Sequence, residues 1–135
     1  MTREELTEAF ELMPDWEDRY RLLIELGGQL PPMPDAMKTK SHKVEGCTSQ
    51  VWMVLEDRQD GRVHFLADSD AHIVRGLIGV LYIIYEDMPY KDVVNMNIDG
   101  YFDELGLSSH LSPNRRNGFF SMVEKLRSLS QSRAS

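Results

Sequence analysis

Residues 51–85 have the sequence VWMVLEDRQDGRVHFLADSDAHIVRGLIGVLYIIY, which predicts a strand hairpin followed by a buried helix. Two apolar runs, Val51–Leu55 and Val63–Ala67, flank the pair Asp60-Gly61. This pair is typical of a two-residue type I′ turn, which joins antiparallel strands with the correct twist. We therefore expect two antiparallel strands joined at Asp60-Gly61.

The helix predicted over Ala71–Tyr85 is apolar on almost every face, so it should lie in the centre of the protein. Asp68-Ser69-Asp70 precedes it and supplies a cap and first-turn carboxylates, which suit the positive end of a helix. Gly76 and Gly79 each cost a helix about 1 kcal/mol relative to alanine. We expect close packing of these glycines on the sheet to offset that cost.

Local capping signals predict further helices on both sides of this segment. Thr2 with Glu5 forms a capping-box pattern, and Asp15 is a good cap for a second helix. Gly27-Gly28 predicts the end of that second helix, because glycine tolerates the left-handed cap conformation. Ser112-Pro113 predicts the start of a final helix, with serine as the cap and proline at the first helical position.

The element order of helices, a strand hairpin and further helices predicts an α+β fold, with an antiparallel sheet covered by helices. At 135 residues and 15.6 kDa, the chain has the size of one compact domain over residues 1–135. The last residues, 130–135, are polar and are expected to fray from the final helix.

The charge balance argues against nucleic acids and membrane surfaces as partners. Fifteen basic and twenty-two acidic side chains give a net charge of -7, which repels phosphate groups and anionic lipids. The uncharged run Gly76–Tyr85 is about half the ~20 residues that a membrane-spanning helix needs. A single cysteine and no recognisable secretory signal at the N-terminus lead us to expect a cytoplasmic protein.

The single cysteine, Cys47, is the strongest candidate for chemistry. It follows Gly46, which lets the backbone turn, and it precedes Thr48 and Ser49, whose hydroxyl and amide groups suit a thiolate or persulfide. Reactive side chains are often displayed on such a loop beside a rigid strand. A free cysteine is also among the residues most often buried as a small apolar group, so these residues alone leave a nucleophile and a core residue equally open.

The four histidines lack the spacing of known metal motifs, and one cysteine cannot supply a thiolate-based zinc site. We therefore predict no metal site. His42 is the histidine nearest in sequence to Cys47, and a cysteine hydrolase using Cys47 with His42 and Asp70 remains an alternative.

Four ordered segments closely resemble the SufE family of sulfur acceptors and cover nearly the whole chain. They are Trp16–Tyr20 with Gly27 and Leu30-Pro31, Val44–Trp52, Ala67–Ala71 with Ile73–Leu77, and Leu111–Gly118. The resemblance implies a SufE/IscU-like fold. Thr48 departs from the family, which often has glutamine there.

The resemblance also implies the function. Cys47 would receive persulfide sulfur from a PLP-dependent cysteine desulfurase, stimulate its turnover and pass sulfur on to a downstream acceptor or scaffold for iron–sulfur cluster assembly. The chain itself would bind no cofactor, since PLP belongs to the desulfurase, and the resemblance leaves a homodimer open. Asp70 and Arg115 would position the cysteine loop or contact the partner.

Two other functions belong to the same pathway. An iron–sulfur scaffold generally needs several cysteine or histidine ligands, which this chain could reach only by dimerising or recruiting a partner. A module that activates a desulfurase allosterically, without taking sulfur, would not need the thiol of Cys47.

Overall fold

The computed structural model describes residues 1–134, and within them seven α-helices and one two-stranded antiparallel sheet. In chain order the elements are α1 (Arg3–Glu11), α2 (Trp16–Gly28), β1 (Val51–Glu56), β2 (His64–Ser69), α3 (His72–Tyr85), α4 (Tyr90–Asn95), α5 (Ile98–Glu104), α6 (Leu107–His110) and α7 (Pro113–Ala134). Two short 3₁₀ turns, Asp35–Met37 and Lys40–His42, lie between α2 and β1. The α+β class predicted from the sequence is confirmed.

Helix α3 lies at the centre of the fold and packs against α2, β2 and α7. Leu77, Ile78 and Leu81 on this helix are at most 1% exposed, as its apolar sequence predicts. In residues 1–134, no helix combines the length and the apolar character needed to cross a membrane.

Three helix starts that the sequence predicts from local caps, those of α1, α2 and α7, agree with the structure. Thr2 and Glu5 form the complete capping box of α1, and the Asp15 side chain accepts a hydrogen bond from the backbone N–H of Glu17. At α7, the Ser112 hydroxyl oxygen accepts a hydrogen bond from the backbone N–H of Arg115. These signals are reliable here because each cap bonds within its own turn.

The glycines predicted to end α2 have a different role. The helix does end at Gly28, but its cap is Gln29 in the right-handed conformation, so no left-handed glycine cap forms. A Cβ at Gly27 would lie 2.8 Å from the backbone N of Gly76 on α3. The glycines of α3 likewise meet α2, because a Cβ at Gly76 would lie 2.5 Å from the carbonyl oxygen of Leu23. The glycines of α3 therefore pack closely against α2 and not against the sheet.

The hairpin is confirmed, but its two-residue turn is wrong. The strands pair from Val51 with Ser69 to Glu56 with His64, which leaves a seven-residue connection over 57–63. A type I′ turn needs a positive φ at both central residues, and only Gly61 of the pair has one. The side chain of Asp60 instead accepts hydrogen bonds from the backbone of Arg62 and from the His64 ring.

One other local prediction also needs correction. Asp68 and Asp70 do not cap α3: its N-cap is Ala71, which makes no side-chain cap bond, and the first turn holds no acidic residue. Helix α7 continues to Ala134 and Ser130 is fully buried, whereas fraying of residues 130–135 stays a prediction. Residue 135 of that tail lies outside the described residues.

Candidate functional site

The cysteine loop, residues 45–50, is closed at its base by backbone hydrogen bonds. The N–H of Val44 donates to the carbonyl of Val51 over 2.8 Å, so the chain reverses direction around the loop. At the other end, the Asp70 carboxylate accepts from the Gln50 N–H at 3.1 Å, and the Asp70 N–H donates to the Gln50 carbonyl at 3.3 Å. Asp70 therefore ties the loop to the end of β2.

The tip of the cysteine loop lies on α7. Gly46 has a φ of +87°, and a Cβ there would lie 2.6 Å from the Ser121 hydroxyl oxygen. The thiol of Cys47 donates to the Gly118 carbonyl, with 3.7 Å between sulfur and oxygen. Position 46 therefore requires glycine for two reasons, its positive φ and its close contact with α7.

Cys47 lines a cavity of about 370 Å³ between the cysteine loop, α3 and α7. Polar residues around it come from the loop and from the start of α7: Thr48, Ser49, Ser112, Asn114 and Arg115. The apolar lining comes from Val51, Val74, Leu77, Phe119 and Met122. Such a mixture of apolar wall and a few polar groups is typical of a small ligand site.

The electrostatic environment favours the neutral thiol. Burial raises the pKa of the Cys47 thiol, and the nearby Glu45 carboxylate raises it further. The side chain is half-buried, so it is neither a core residue nor freely exposed. Because the thiolate is the nucleophile, the thiol in this conformation should be slow to react.

The residues predicted for the site divide into three groups. Four of them line the cavity, namely Cys47, Thr48, Ser49 and Arg115. Gly46 forms the contact with α7, and Asp70 holds the base of the cysteine loop outside the cavity. Arg115 is exposed, and within residues 1–134 no ion pair involves its guanidinium.

Sequence reasoning missed two residues of the site, Gly118 and Ser121. Both lie on α7, about seventy residues from the cysteine in the chain, and no spacing pattern links them to it. The available signal was Gly118 itself, because a glycine in the interior of a predicted amphipathic helix has a propensity cost that needs a reason.

The structure gives no support for a hydrolase built from Cys47, His42 and Asp70. The Nδ1 atom of His42 lies 2.8 Å from the carbonyl of Met37 and 3.2 Å from the Thr39 hydroxyl, both in the stretch of chain just before its own 3₁₀ turn. The Asp70 carboxylate is bonded to the Gln50 backbone. Among the described residues, the hydrogen-bond partner of the Cys47 sulfur is a carbonyl oxygen and not an imidazole.

A second cluster of titratable groups surrounds His64 at the far end of the hairpin. Its Nδ1 lies 2.6 Å from the Glu86 carboxylate and its Nε2 lies 2.7 Å from the Asp60 carboxylate. Both ring nitrogens therefore have carboxylate partners, and the His64 side chain is only 6% exposed. The hydrogen bond with Asp60, followed by that with Glu86, raises the pKa of His64 against the effect of burial. This histidine ties β2 to the end of α3.

The fold and the site define a class: a small α+β protein with one half-buried thiol on a loop above a cavity. Residues 4–130 match the SufE family model, described as the Fe-S metabolism associated domain. An uncharacterised SufE-like protein of Rhizobium meliloti (strain 1021) is 38% identical over 133 residues, which cover 96% of this chain and 95% of that protein.

The chain therefore belongs to the SufE family, as its sequence segments predicted, and is associated with sulfur transfer in iron–sulfur metabolism. A solved structure supports the fold: the solution structure of a hypothetical protein from Thermus thermophilus matches with a TM-score of 0.78 at 21% identity. That match covers 98% of this chain and 97% of the other.

Proposed function

We propose that this protein is a cytoplasmic sulfur acceptor and carrier. Cys47 receives the outer sulfur of a persulfide carried by a PLP-dependent cysteine desulfurase, and this transfer stimulates the turnover of that enzyme. The protein then passes the sulfur on for iron–sulfur cluster assembly. PLP acts in the desulfurase, and Cys47 acts without a cofactor bound to this chain.

The transfer is a thiol exchange in which no external oxidant is consumed. The Cys47 sulfur forms a bond to the outer sulfur of the donor persulfide, while the bond between the two donor sulfurs breaks. The donor cysteine leaves as a thiolate and takes up the proton that Cys47 loses. The products are a Cys47 persulfide and a reduced donor thiol, so atoms and charge balance.

The observation that carries this proposal is the position of the only thiol beside a cavity larger than a single sulfur needs. The Cys47 side chain and the apolar wall formed by Val51, Val74 and Leu77 belong to the same cavity of about 370 Å³. An apolar enclosure limits the access of water-borne reductants and oxidants to an outer sulfur. The raised pKa of Cys47 keeps the thiol un-ionised until the donor arrives.

The test is intact mass spectrometry after incubation with a cysteine desulfurase and cysteine, without reductant. Three proteins are compared: wild type, Cys47→Ser, and Cys47→Ser combined with Ser132→Cys. The last variant restores one thiol at an exposed position on α7 outside the cavity. We expect a gain of one sulfur atom on wild type alone, reversed by reductant.

Two results would count against the proposal. Equal sulfur gain by the Ser132→Cys protein would mean that any accessible thiol suffices and that the Cys47 site adds nothing. Full stimulation of desulfurase turnover by Cys47→Ser would instead favour an allosteric module. Loss of stimulation with retained binding to the desulfurase would support covalent transfer through Cys47.

A further inference from the structure

Gly118 is a buried glycine within a long helix, and the backbone conformation at this position does not require a glycine. It lies in the second turn of α7, and its φ is not positive. A glycine in a helix is less favourable than alanine by about 1 kcal/mol. Something other than local conformation must therefore require that this position carries no side chain.

In the reduced protein, nothing around position 118 requires a residue without a side chain. A Cβ built at Gly118 would meet the Cys47 sulfur at 3.6 Å, an ordinary van der Waals distance, and among the described residues it would meet no other atom within 4 Å beyond its own stretch of helix. Alanine therefore fits beside the free thiol. The other glycine of the site differs, because a Cβ at Gly46 would lie 2.6 Å from the Ser121 hydroxyl.

A persulfide on Cys47 needs more space beside Gly118 than the free thiol does. Its outer sulfur lies about 2.05 Å beyond the Cys47 sulfur, at ordinary disulfide bond length. Gly118 lines the same cavity as Cys47, and the space next to it is the space that an alanine methyl would occupy. The cysteine loop is held on α7 by Gly46 against Ser121, so room for a second sulfur has to come from the cavity.

We infer that Gly118 is a positioning residue for the Cys47 persulfide: its missing side chain leaves the place in which the outer sulfur is held away from solvent. This inference rests on the proposed function. A methyl group at position 118 would direct the outer sulfur toward the polar side of the cavity, where Arg115 is exposed. There a reductant reaches it more easily.

The test loads Cys47 chemically, so that it does not depend on a desulfurase. Inorganic polysulfide transfers one sulfur to the Cys47 thiolate and leaves as the polysulfide shortened by one sulfur. Intact mass spectrometry then follows loss of that sulfur to limiting dithiothreitol in wild type, Gly118→Ala and Gly118→Ser. Gly100→Ala is the matched control, because it makes the same change in another helix, with no atom within 4 Å of the new Cβ.

We expect Gly118→Ala to lose its outer sulfur roughly tenfold faster than wild type, as over-packing by one methyl group suggests. Gly118→Ser should lose it at least as fast, and Gly100→Ala at the wild-type rate. Thermal unfolding of the reduced proteins should show Gly118→Ala to be no less stable than wild type, which separates a persulfide effect from a folding defect.

Equal persulfide lifetimes in wild type and Gly118→Ala would overturn the inference. A clearly lower unfolding temperature of reduced Gly118→Ala would overturn it as well, since the methyl group would then be excluded by the reduced protein itself. The proposed function is judged separately, by whether wild type gains sulfur from the desulfurase.

Discussion

Replacing Gly27 with alanine should destabilise the protein, whereas the same replacement at the adjacent Gly28 should stabilise it. A Cβ at Gly27 would lie 2.8 Å from backbone atoms of both Arg75 and Gly76, across the crossing of α2 and α3. A Cβ at Gly28 would meet no described atom within 4 Å, and that residue is exposed at the end of α2. The two variants have the same chemistry and differ only in their surroundings.

The magnitude at Gly27 follows from that distance. Carbon atoms pack best at about 3.5 Å or more, so the two helices would have to separate by roughly 0.7 Å. Neither backbone can yield alone, and over-packing of this kind costs about 1–3 kcal/mol. Alanine regains up to about 1 kcal/mol of helix propensity. We expect a net loss of about 1–2 kcal/mol at Gly27 and a gain of about 0.5–1 kcal/mol at Gly28.

Thermal and urea unfolding, followed by far-ultraviolet circular dichroism, would measure both variants. For a chain of 135 residues, a change of 1 kcal/mol shifts the Tm by roughly 3.5 °C. The two variants should therefore differ by roughly 5–10 °C, with wild type between them. A Gly27→Ala protein as stable as Gly28→Ala would refute the reasoning, because it would mean that α2 and α3 are not in close backbone contact.

Three further measurements test the site and the hairpin. The rate at which iodoacetamide alkylates Cys47 should rise with pH, and its midpoint should lie above the ordinary thiol pKa because burial raises the pKa of Cys47. A midpoint at or below the ordinary value would contradict this. Gly46→Ala should speed that alkylation several-fold at fixed pH, since a Cβ would lie 2.6 Å from the Ser121 hydroxyl and displace the loop; an unchanged rate would mean that the loop is not held on α7. His64→Gln should lower the Tm most near pH 6, because the hydrogen bond with Asp60 raises the pKa of His64 above 6.5. The stability that the charged pair of His64 and Asp60 contributes is fully present below about pH 6.5 and is lost as the pH rises through the raised pKa of His64. If the Tm difference between wild type and His64→Gln does not shrink as the pH rises, the charged pair is not the source of that stability.

The features predicted well from the sequence are those whose partners lie within a few residues. The capping box of Thr2 and Glu5 and the Ser112-Pro113 start of α7 need only their own turn, and both are correct. Gly27-Gly28 misled because their role depends on α3, whose position relative to α2 no local pattern contains. Asp60-Gly61 has the composition of a tight turn, but the carboxylate of Asp60 bonds to His64 and a longer connection forms.

The candidate site divides in the same way. The cysteine loop could be found from its own residues, because a glycine, a thiol and small polar groups stand together immediately before a strand. The contacts that give the thiol its environment could not, since Gly118 and Ser121 reach it only through the packing of α7. Asp70 has the sequence position of a helix cap, yet it bonds to Gln50 because β2 ends opposite the start of β1.

If Cys47 accepts sulfur as proposed, the neutral state of its thiol would make the transfer depend on the donor. Burial and Glu45 both favour the protonated form of Cys47, so the free protein is a weak nucleophile toward electrophiles in solution. Under the proposed function, transfer would then require a donor that brings its sulfur into the cavity and accepts the proton that Cys47 loses. The exposed Arg115 lines that cavity, in a chain with a net charge of -7. Under the same proposal, a local positive group of this kind would favour approach of an anionic persulfide from the polar side, and the apolar wall would hold the sulfur after transfer. Protection of the thiol and selection of its donor would therefore come from the same arrangement of the cysteine loop, α3 and α7.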